Sequence, residues 1–304
     1  MTKLPVTVLI PTLNAEAHLP ELLDSIAWAE DIFLVDSRSL DRTVDIALER
    51  GVKIVQRPFT AFGDTIQWML DVLPVKTPWL FIMAQDERSS ASLETELAKL
   101  FRGEPDCDGY TVLWRLWFMG QPLHAVTKNL RLFRKGKAEV SPVLVNEHFI
   151  VRGKTGRLPG ILEHKDSLNL YDWYEKQNLY TTWEAAERIQ GKGREEEPRL
   201  FGNRLQRKMF FKRFFIRLPG GHLIQFLYYL LKYGAWRDGS TGLAWVRLRL
   251  WVHEVGTLKE REMRRTGVIP KLPSARHGDF DPRIMESELQ KQLLPELCET
   301  WKKR

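Results

Sequence analysis

Only two cysteines, Cys107 and Cys298, occur in 304 residues. They cannot build a disulfide framework or a cysteine-rich metal centre, and they predict a reducing compartment. No apolar run approaches the about 20 residues that cross a bilayer. The longest stretch, Leu223 to Trp236, is interrupted by Gln225, Lys232 and Gly234. Met1 to Val8 enters a strand-like pattern at once, without the basic and apolar regions of a leader, so no signal peptide is expected. No G-x-G-x-x-G follows the first apolar run and no G-x-x-x-x-G-K-[ST] occurs, which argues against dinucleotide-binding Rossmann enzymes and P-loop NTPases. Acidic residues are in deficit: 46 Lys and Arg face 39 Asp and Glu, a formal charge of +7. The expected partner is therefore anionic: nucleic acid, a membrane surface or a phosphorylated substrate. There is no internal repeat.

What the chain has in quantity is short apolar runs separated by helical spacing. Val6-Thr7-Val8-Leu9-Ile10 reads as a strand ended by Pro11-Thr12. Asn14 can cap a helix over 15–29, whose Leu19, Leu22, Leu23 and Ile26 share one face. A second strand, Ile32 to Val35, stops at Asp36-Ser37-Arg38-Ser39. A helix over 43–50 follows, capped by Asp41 or Ser39 and ended by Gly51. Val52 to Val55 is a third strand, 59–64 a loop, 65–73 a helix, and Trp79 to Met83 a fourth strand. This βαβαβαβ order predicts an α/β fold with a mostly parallel sheet and helices on both faces. Loops leaving strands one, two and four then meet at one sheet edge, where nucleotides bind.

The fourth strand is the centre of the reading, because its apolar run ends in Ala84-Gln85-Asp86-Glu87-Arg88. Carboxylates at such a strand end can hold a divalent cation, which in turn can hold phosphates. They can equally cap a helix beginning in Ser89-Ser90-Ala91-Ser92-Leu93, and these residues alone leave both readings open. Asp36 can accept from a base N–H or from ribose hydroxyls, or else only organise its turn with Asp41. Arg131 and Arg134 face opposite ways if their segment is extended. His124 and His164 show no metal-like spacing and read as structural.

Val8-Leu9-Ile10-Pro11-Thr12-Leu13-Asn14-Ala15-Glu16, Leu34-Val35-Asp36-Ser37-Arg38-Ser39-Leu40-Asp41-Arg42-Thr43 and the acidic stop at Asp86-Glu87 resemble family 2 glycosyltransferases of GT-A fold. Within that family the chain is most similar to the bacterial lipopolysaccharide core beta-1,4-glucosyltransferases. Phe59 to Gly63 resembles their phenylalanine-glycine loop, and Arg131-Leu132-Phe133-Arg134 their R-L-F-R segment. Val145-Asn146-Glu147-His148 resembles their V-x-E segment, and Trp236 to Gly242 their late D-G-x-x-G turn. The first half is covered well, the C-terminal third by scattered matches. The resemblance implies a Rossmann-like GT-A domain over 1–165. Pro11, Thr12, Asn14, Glu16 and Asp36 would surround base and ribose. Gly63, Gln85, Arg131 and Arg134 would complete the nucleotide-sugar site, with the arginines on the diphosphate. The chain departs from its relatives at the metal motif: they usually read D-A-D-E, and Ala84 stands where the first aspartate would be. Asp86 matches the second and is the implied catalytic ligand for Mg²⁺ or Mn²⁺, a basic side chain being the alternative neutraliser. Glu147 aligns with the catalytic base of an inverting transfer. Asp64 stands where relatives often carry a basic or polar residue.

From Arg199 to Arg217 seven basic residues and no acidic one are interleaved with aromatics such as Phe210, Phe211, Phe214 and Phe215. Snorkelling basic side chains would let such aromatics enter a lipid headgroup region. The same mixture suits single-stranded nucleic acid, or plain packing on the catalytic domain or another subunit. Beyond it come an apolar helix over 223–233, a turn at Asp238-Gly239, and a helix over about 243–264. An irregular stretch over 266–283 and a last helix over 284–301 follow. Residues 166–304 therefore read as a helical extension that contacts acceptor, membrane or subunit, with 199–236 the membrane-facing part. The expected activity moves a hexose from a nucleotide sugar, UDP-linked, to a saccharide of lipopolysaccharide or another envelope glycan. Its expected place is the cytoplasm, at the inner face of the cytoplasmic membrane. One alternative is a polyprenyl phosphate acceptor, which needs no base. The other is a non-catalytic nucleic-acid- or anion-binding protein on the same fold, nucleic acid being the least expected partner.

Overall fold

In a computed structural model, which describes residues 3–140, 148–166, 169–190, 200–201, 207, 221–270 and 277–303, the first four apolar runs are strands. They are β1 (Leu4–Thr12), β2 (Ala29–Asp36), β3 (Lys53–Gln56) and β4 (Trp79–Ile82). Between them lie α1 (Leu19–Ser25), α2 (Thr43–Glu49) and α3 (Phe62–Val72). The strands pair in parallel in the order β3-β2-β1-β4. Consecutive residues of each strand point to opposite faces, and here both faces are apolar and buried. Val8, Ile10, Leu34 and Phe81 pack with Leu19, Leu22 and Ile26 of the α1 side. Leu9, Phe33, Val35, Leu80 and Ile82 pack with Ile66 and Met69 of α3 on the other.

The sheet continues as β4-β7-β6-β10-β5, from β5 (Glu87–Ser89), β6 (Gly109–Phe118), β7 (Gln121–Arg134) and β10 (Thr155–His164). Its β4–β7 and β10–β5 pairs are antiparallel. β8 (Ala138–Val140) and β9 (Phe149–Val151) form a separate ribbon. Helix α4 (Ala91–Leu100) is capped by the Ser90 hydroxyl, not by Asp86 or Glu87.

Several helix boundaries differ from the sequence reading, among them the start of the helix expected over about 243–264, which begins at Gly239. The first helix starts at Leu19 because Asn14 does not cap it; Asn14 adopts φ +51° and gives its side-chain oxygen to the Leu40 amide. α3 starts three residues early, inside the expected loop, with Ala61 extended as its N-cap and Asp64 in the first turn, where the helix dipole favours an acid. The expected last helix is three short ones: α8 (Pro282–Met285), α9 (Glu288–Leu293) and α10 (Pro295–Lys302). Ser287 caps the second and Pro295 opens the third.

The chain divides into two units. The first comprises Met1–Trp114, Thr127–Lys165 and Ser274–Arg304, so the C-terminal residues that the sequence assigns to a helical extension return to the sheet. The buried side chains Ile284 and Gln290 anchor them there. The second comprises Arg115–Val126 and Asp166–Pro273. It contains α5 (Leu170–Gln190), α6 (Gly221–Lys232), a 3-10 turn (Ala235–Asp238) and α7 (Gly239–Thr266). Trp173, Trp245, Val246 and Val252 form its core with Phe118, Leu123 and Ala125 from the hairpin tip. Lys259 ties α7 to α5, donating to the Asn178 carbonyl and to the Thr182 hydroxyl, each at 2.7 Å. Most of the basic and aromatic run over 199–217 lies outside the described residues. Among the described residues no helix is long and apolar enough to cross a membrane.

Candidate active site

The loops leaving β1, β2 and β4 are stitched together by side chains. Register alone sets Thr12 opposite Asp36 across β1 and β2. Beyond the strands, the Asn14 amide donates to Ser39 Oγ, the Glu16 amide to Asp41, and the Arg42 amide to Glu16 Oε2. Gln85 joins the third loop to the first, accepting from the Leu13 amide at 2.8 Å and donating to its carbonyl at 3.1 Å. Pro11, Thr12, Asn14, Glu16, Asp36, Gln85 and Asp86 are thus brought to one sheet edge. Asn14 and Glu16 are exposed there, whereas Thr12 and Asp36 are buried.

Asp36 is wholly buried and bonded inside the protein. Its carboxylate accepts from the Ser39 amide at 3.0 Å and the Gln56 side chain at 2.8 Å. Burial raises its carboxyl above the usual aspartate value, against the lowering effect of the Ser39 and Gln56 bonds. Asp41 accepts from the Thr43 and Glu16 amides, the turn-organising role that the sequence leaves open.

Ala84-Gln85-Asp86-Glu87 forms a tight turn closed twice. The Glu87 amide donates to the Ala84 carbonyl at 3.0 Å, and the Ala84 amide to Glu87 Oε2 at 2.8 Å. The other Glu87 oxygen accepts from Trp114 Nε1 and Arg131 Nη2, each at 2.6 Å. Glu87, 1% exposed, is therefore the tie that shapes the acidic loop, and Arg131 is committed to it. Arg134, on the opposite face of β7 as an extended segment requires, instead bonds Glu104 at 2.9 Å and the Pro105 carbonyl. The structure does not bring the two arginines together. Gly63 is buried in the first turn of α3, and Asp64 pairs with Arg57 at 2.9 Å. Glu147 lies outside the described residues.

Asp86 faces a residue that no motif or spacing joins to it. Antiparallel pairing of β10 with β5 sets His164 opposite Glu87, and His164 Nε2 comes within 3.3 Å of an Asp86 carboxylate oxygen. The imidazole is held by stacking on Trp114, 4.2 Å between ring centroids. Two ligand atoms bound side by side at about 2.1 Å from one cation stand about 3 Å apart. The pair fits that geometry, and its oxygen and imidazole donors suit Mn²⁺ as well as Mg²⁺. Behind it Glu21 pairs with Lys165 and with Arg88. The Lys165 bond is the main cause of a Glu21 carboxyl held below its usual range, and burial lowers the Arg88 guanidinium. The sequence reading took His164 as structural, since no metal-like spacing marks it.

No family model matches the chain. It is 26% identical to the lipopolysaccharide core biosynthesis glycosyltransferase LpsC of Rhizobium meliloti over 251 residues, 79% of this chain and 86% of that protein. The chain is a glycosyltransferase. An uncharacterized glycosyltransferase of Rickettsia typhi is 24% identical over 70% of this chain and 77% of its own. Among solved structures, residues 1–349 of TarS from S. aureus match this glycosyltransferase with a TM-score of 0.41 and 15% identity, over 88% of this chain and 92% of that one. Glucosyl-3-phosphoglycerate synthase of Mycobacterium tuberculosis, in complex with Mn²⁺, UDP and glucosyl-3-phosphoglycerate, matches with a TM-score of 0.31 and 20% identity, over 36% of this chain. The glycosyltransferase spans 44% of that synthase.

Proposed function

We propose that this enzyme transfers a hexose from a nucleoside diphosphate sugar, UDP-linked, to a saccharide of lipopolysaccharide or a related envelope glycan, with inversion. The observation that carries the reading is the stitching of three strand-end loops around Asp86 and His164. In it, Pro11, Thr12, Asn14, Glu16 and Asp36 face base and ribose, and Gly63 and Gln85 shape the floor. Asp86 and His164 are the residues that would hold Mg²⁺ or Mn²⁺. The ion, when bound, neutralises charge on the leaving diphosphate. Arg131 acts by fixing Glu87 and so the loop; a direct diphosphate contact from Arg134 has no support in its position at Glu104. Glu147 takes the proton of the acceptor hydroxyl. LpsC, by its name, acts in lipopolysaccharide core biosynthesis, and that likeness supports an envelope saccharide as acceptor. Leu223, Leu227 and Leu231 form an exposed stripe on α6, which follows the basic run in the sequence. This supports docking of 199–236 on the anionic inner face of the cytoplasmic membrane.

The test is a thermal-shift screen of UDP-, GDP- and dTDP-sugars with and without Mn²⁺, since a ligand of the native state raises its melting temperature. A shift with one nucleotide class, lost in Asp86→Asn, is the expected result. No shift with any of them overturns the reading. Glu147→Gln then separates acceptors: a hydroxyl acceptor loses turnover, whereas a phosphate acceptor keeps it.

A further inference from the structure

A segment that the nucleotide reading leaves unused, His277 to Asp281, lies against the loop that leaves β2. His277 Nδ1 donates to the Ser37 carbonyl at 2.6 Å, and the Gly278 amide to the Arg38 carbonyl at 2.7 Å. These are the two residues that follow Asp36. Arg38 needs the hold, because its φ of +65° is a left-handed conformation that a side chain disfavours. Its guanidinium lies 5.3 Å over the Phe280 ring, and no carboxylate among the described residues pairs with it. Gly278 sits close against the turn: a Cβ would stand 3.0 Å from Leu40 Cδ2 and 3.2 Å from the Ser39 carbonyl oxygen, so these neighbours would have to give by a few tenths of an ångström. The His277 ring also stacks on Phe59, before the phenylalanine-glycine pair.

A second tie runs through Gln56, which is buried and uses every polar atom it has. Its side-chain N–H donates to Asp36 at 2.8 Å, while its side-chain oxygen accepts from the Asp281 amide at 2.7 Å. Its backbone N–H and carbonyl bond the Gln290 side chain at 2.8 and 2.7 Å. A buried amide whose nitrogen and oxygen are both bonded has one favoured orientation. The C-terminal segment therefore sets how Gln56 presents itself to Asp36.

We infer that the segment from His277 to Gln290 is a working wall of the nucleotide site. It braces the buried Asp36 carboxylate behind the turn that follows β2, and so holds the Arg38 guanidinium where that cation takes a nucleoside diphosphate. His277, Phe280 and Gln290 are positioning residues; Arg38 is the contact. The inference rests on the nucleotide-sugar reading above and names a part of that site drawn from far along the chain.

The experiment is calorimetric titration of the full chain with UDP in the presence of Mn²⁺. Phe280→Ala and His277→Ala alter half-buried side chains and are expected to weaken UDP binding about tenfold each, equivalent to about 1.4 kcal/mol. The melting temperature of the unliganded protein should stay where it is. Arg38→Ala should lose at least as much, and His277→Asn, which keeps a side-chain N–H for Ser37, should bind as wild type does. In turnover the same two alanine variants should raise the donor KM and leave kcat unchanged. Variants that bind UDP as tightly as wild type, while melting lower, would make the segment a structural strap and overturn the inference alone. Failure of the wild type to bind UDP, GDP or dTDP would overturn the nucleotide reading, and this inference with it.

Discussion

Glu87 and Asp86 are neighbours in sequence with opposite expected responses to mutation. Glu87→Ala removes the acceptor of three donors: the buried Arg131, and the half-buried Trp114 indole and Ala84 amide. A buried guanidinium left without its carboxylate costs about 3–5 kcal/mol. Each neutral donor left without an acceptor adds about 1–3 kcal/mol. These losses share one site and overlap, so the expected total is about 4–7 kcal/mol, against a whole-domain stability of about 5–15 kcal/mol. Glu87→Gln keeps a carbonyl oxygen but turns an amide N–H toward one of the donors, for about 2–3 kcal/mol. Adding Arg131→Met to Glu87→Gln removes the stranded cation and should recover part of that loss. Urea unfolding followed by far-ultraviolet circular dichroism and tryptophan fluorescence measures all three. Asp86→Asn should stay within about 1 kcal/mol of wild type in the same assay while losing Mn²⁺-dependent donor hydrolysis. A Glu87→Ala loss below about 1 kcal/mol would mean that Arg131 is adequately solvated, and would refute Glu87 as the tie of the acidic loop.

Three further outcomes are expected. His164→Ala should raise the Mn²⁺ concentration for half-maximal donor hydrolysis by at least about tenfold, with Tm of the metal-free protein little changed. Because burial raises the Asp36 carboxyl, the folded protein keeps that proton to a higher pH than the unfolded chain. Above the ordinary aspartate value of 3.8 and up to the raised one, stability due to this group falls as pH rises. Urea midpoints across the weakly acidic range should show that slope in wild type and its loss in Asp36→Asn. Gly160→Ala would place a Cβ 2.4 Å from Leu93 Cα, forcing α4 from β10, and should cost about 2–3 kcal/mol in the same unfolding assay.

The parallel half of the sheet was legible because β1, β2 and β4 are buried on both faces, and a doubly buried strand writes itself as an unbroken apolar run. The convergence of three loops followed from that topology. Arg131 and Arg134 split across β7 as an extended segment must. Asn14 misled because its side chain serves the Leu40 amide in a neighbouring loop, and a cap and a cross-link look alike in sequence. His164 was read as structural because a pairing of β10 with β5 brings it to Asp86 across 78 positions, and no spacing rule reaches that far. Gln56 and Gln290 were silent for the same reason. The late residues were read as a helical appendage, yet their buried side chains, Ile284 and Gln290, belong to the first unit.

Gln56 ends β3, the edge strand of the parallel half of the sheet, and the partner that satisfies its backbone is made 234 positions later. During synthesis the parallel half can assemble early, but its margin stays open until α8 and α9 have been translated. An exposed strand margin recruits other chains. A premature stop within 277–290 should therefore yield aggregated product, while a proteolytic nick within the second unit, which leaves 277–290 in place, should leave more of the chain in solution.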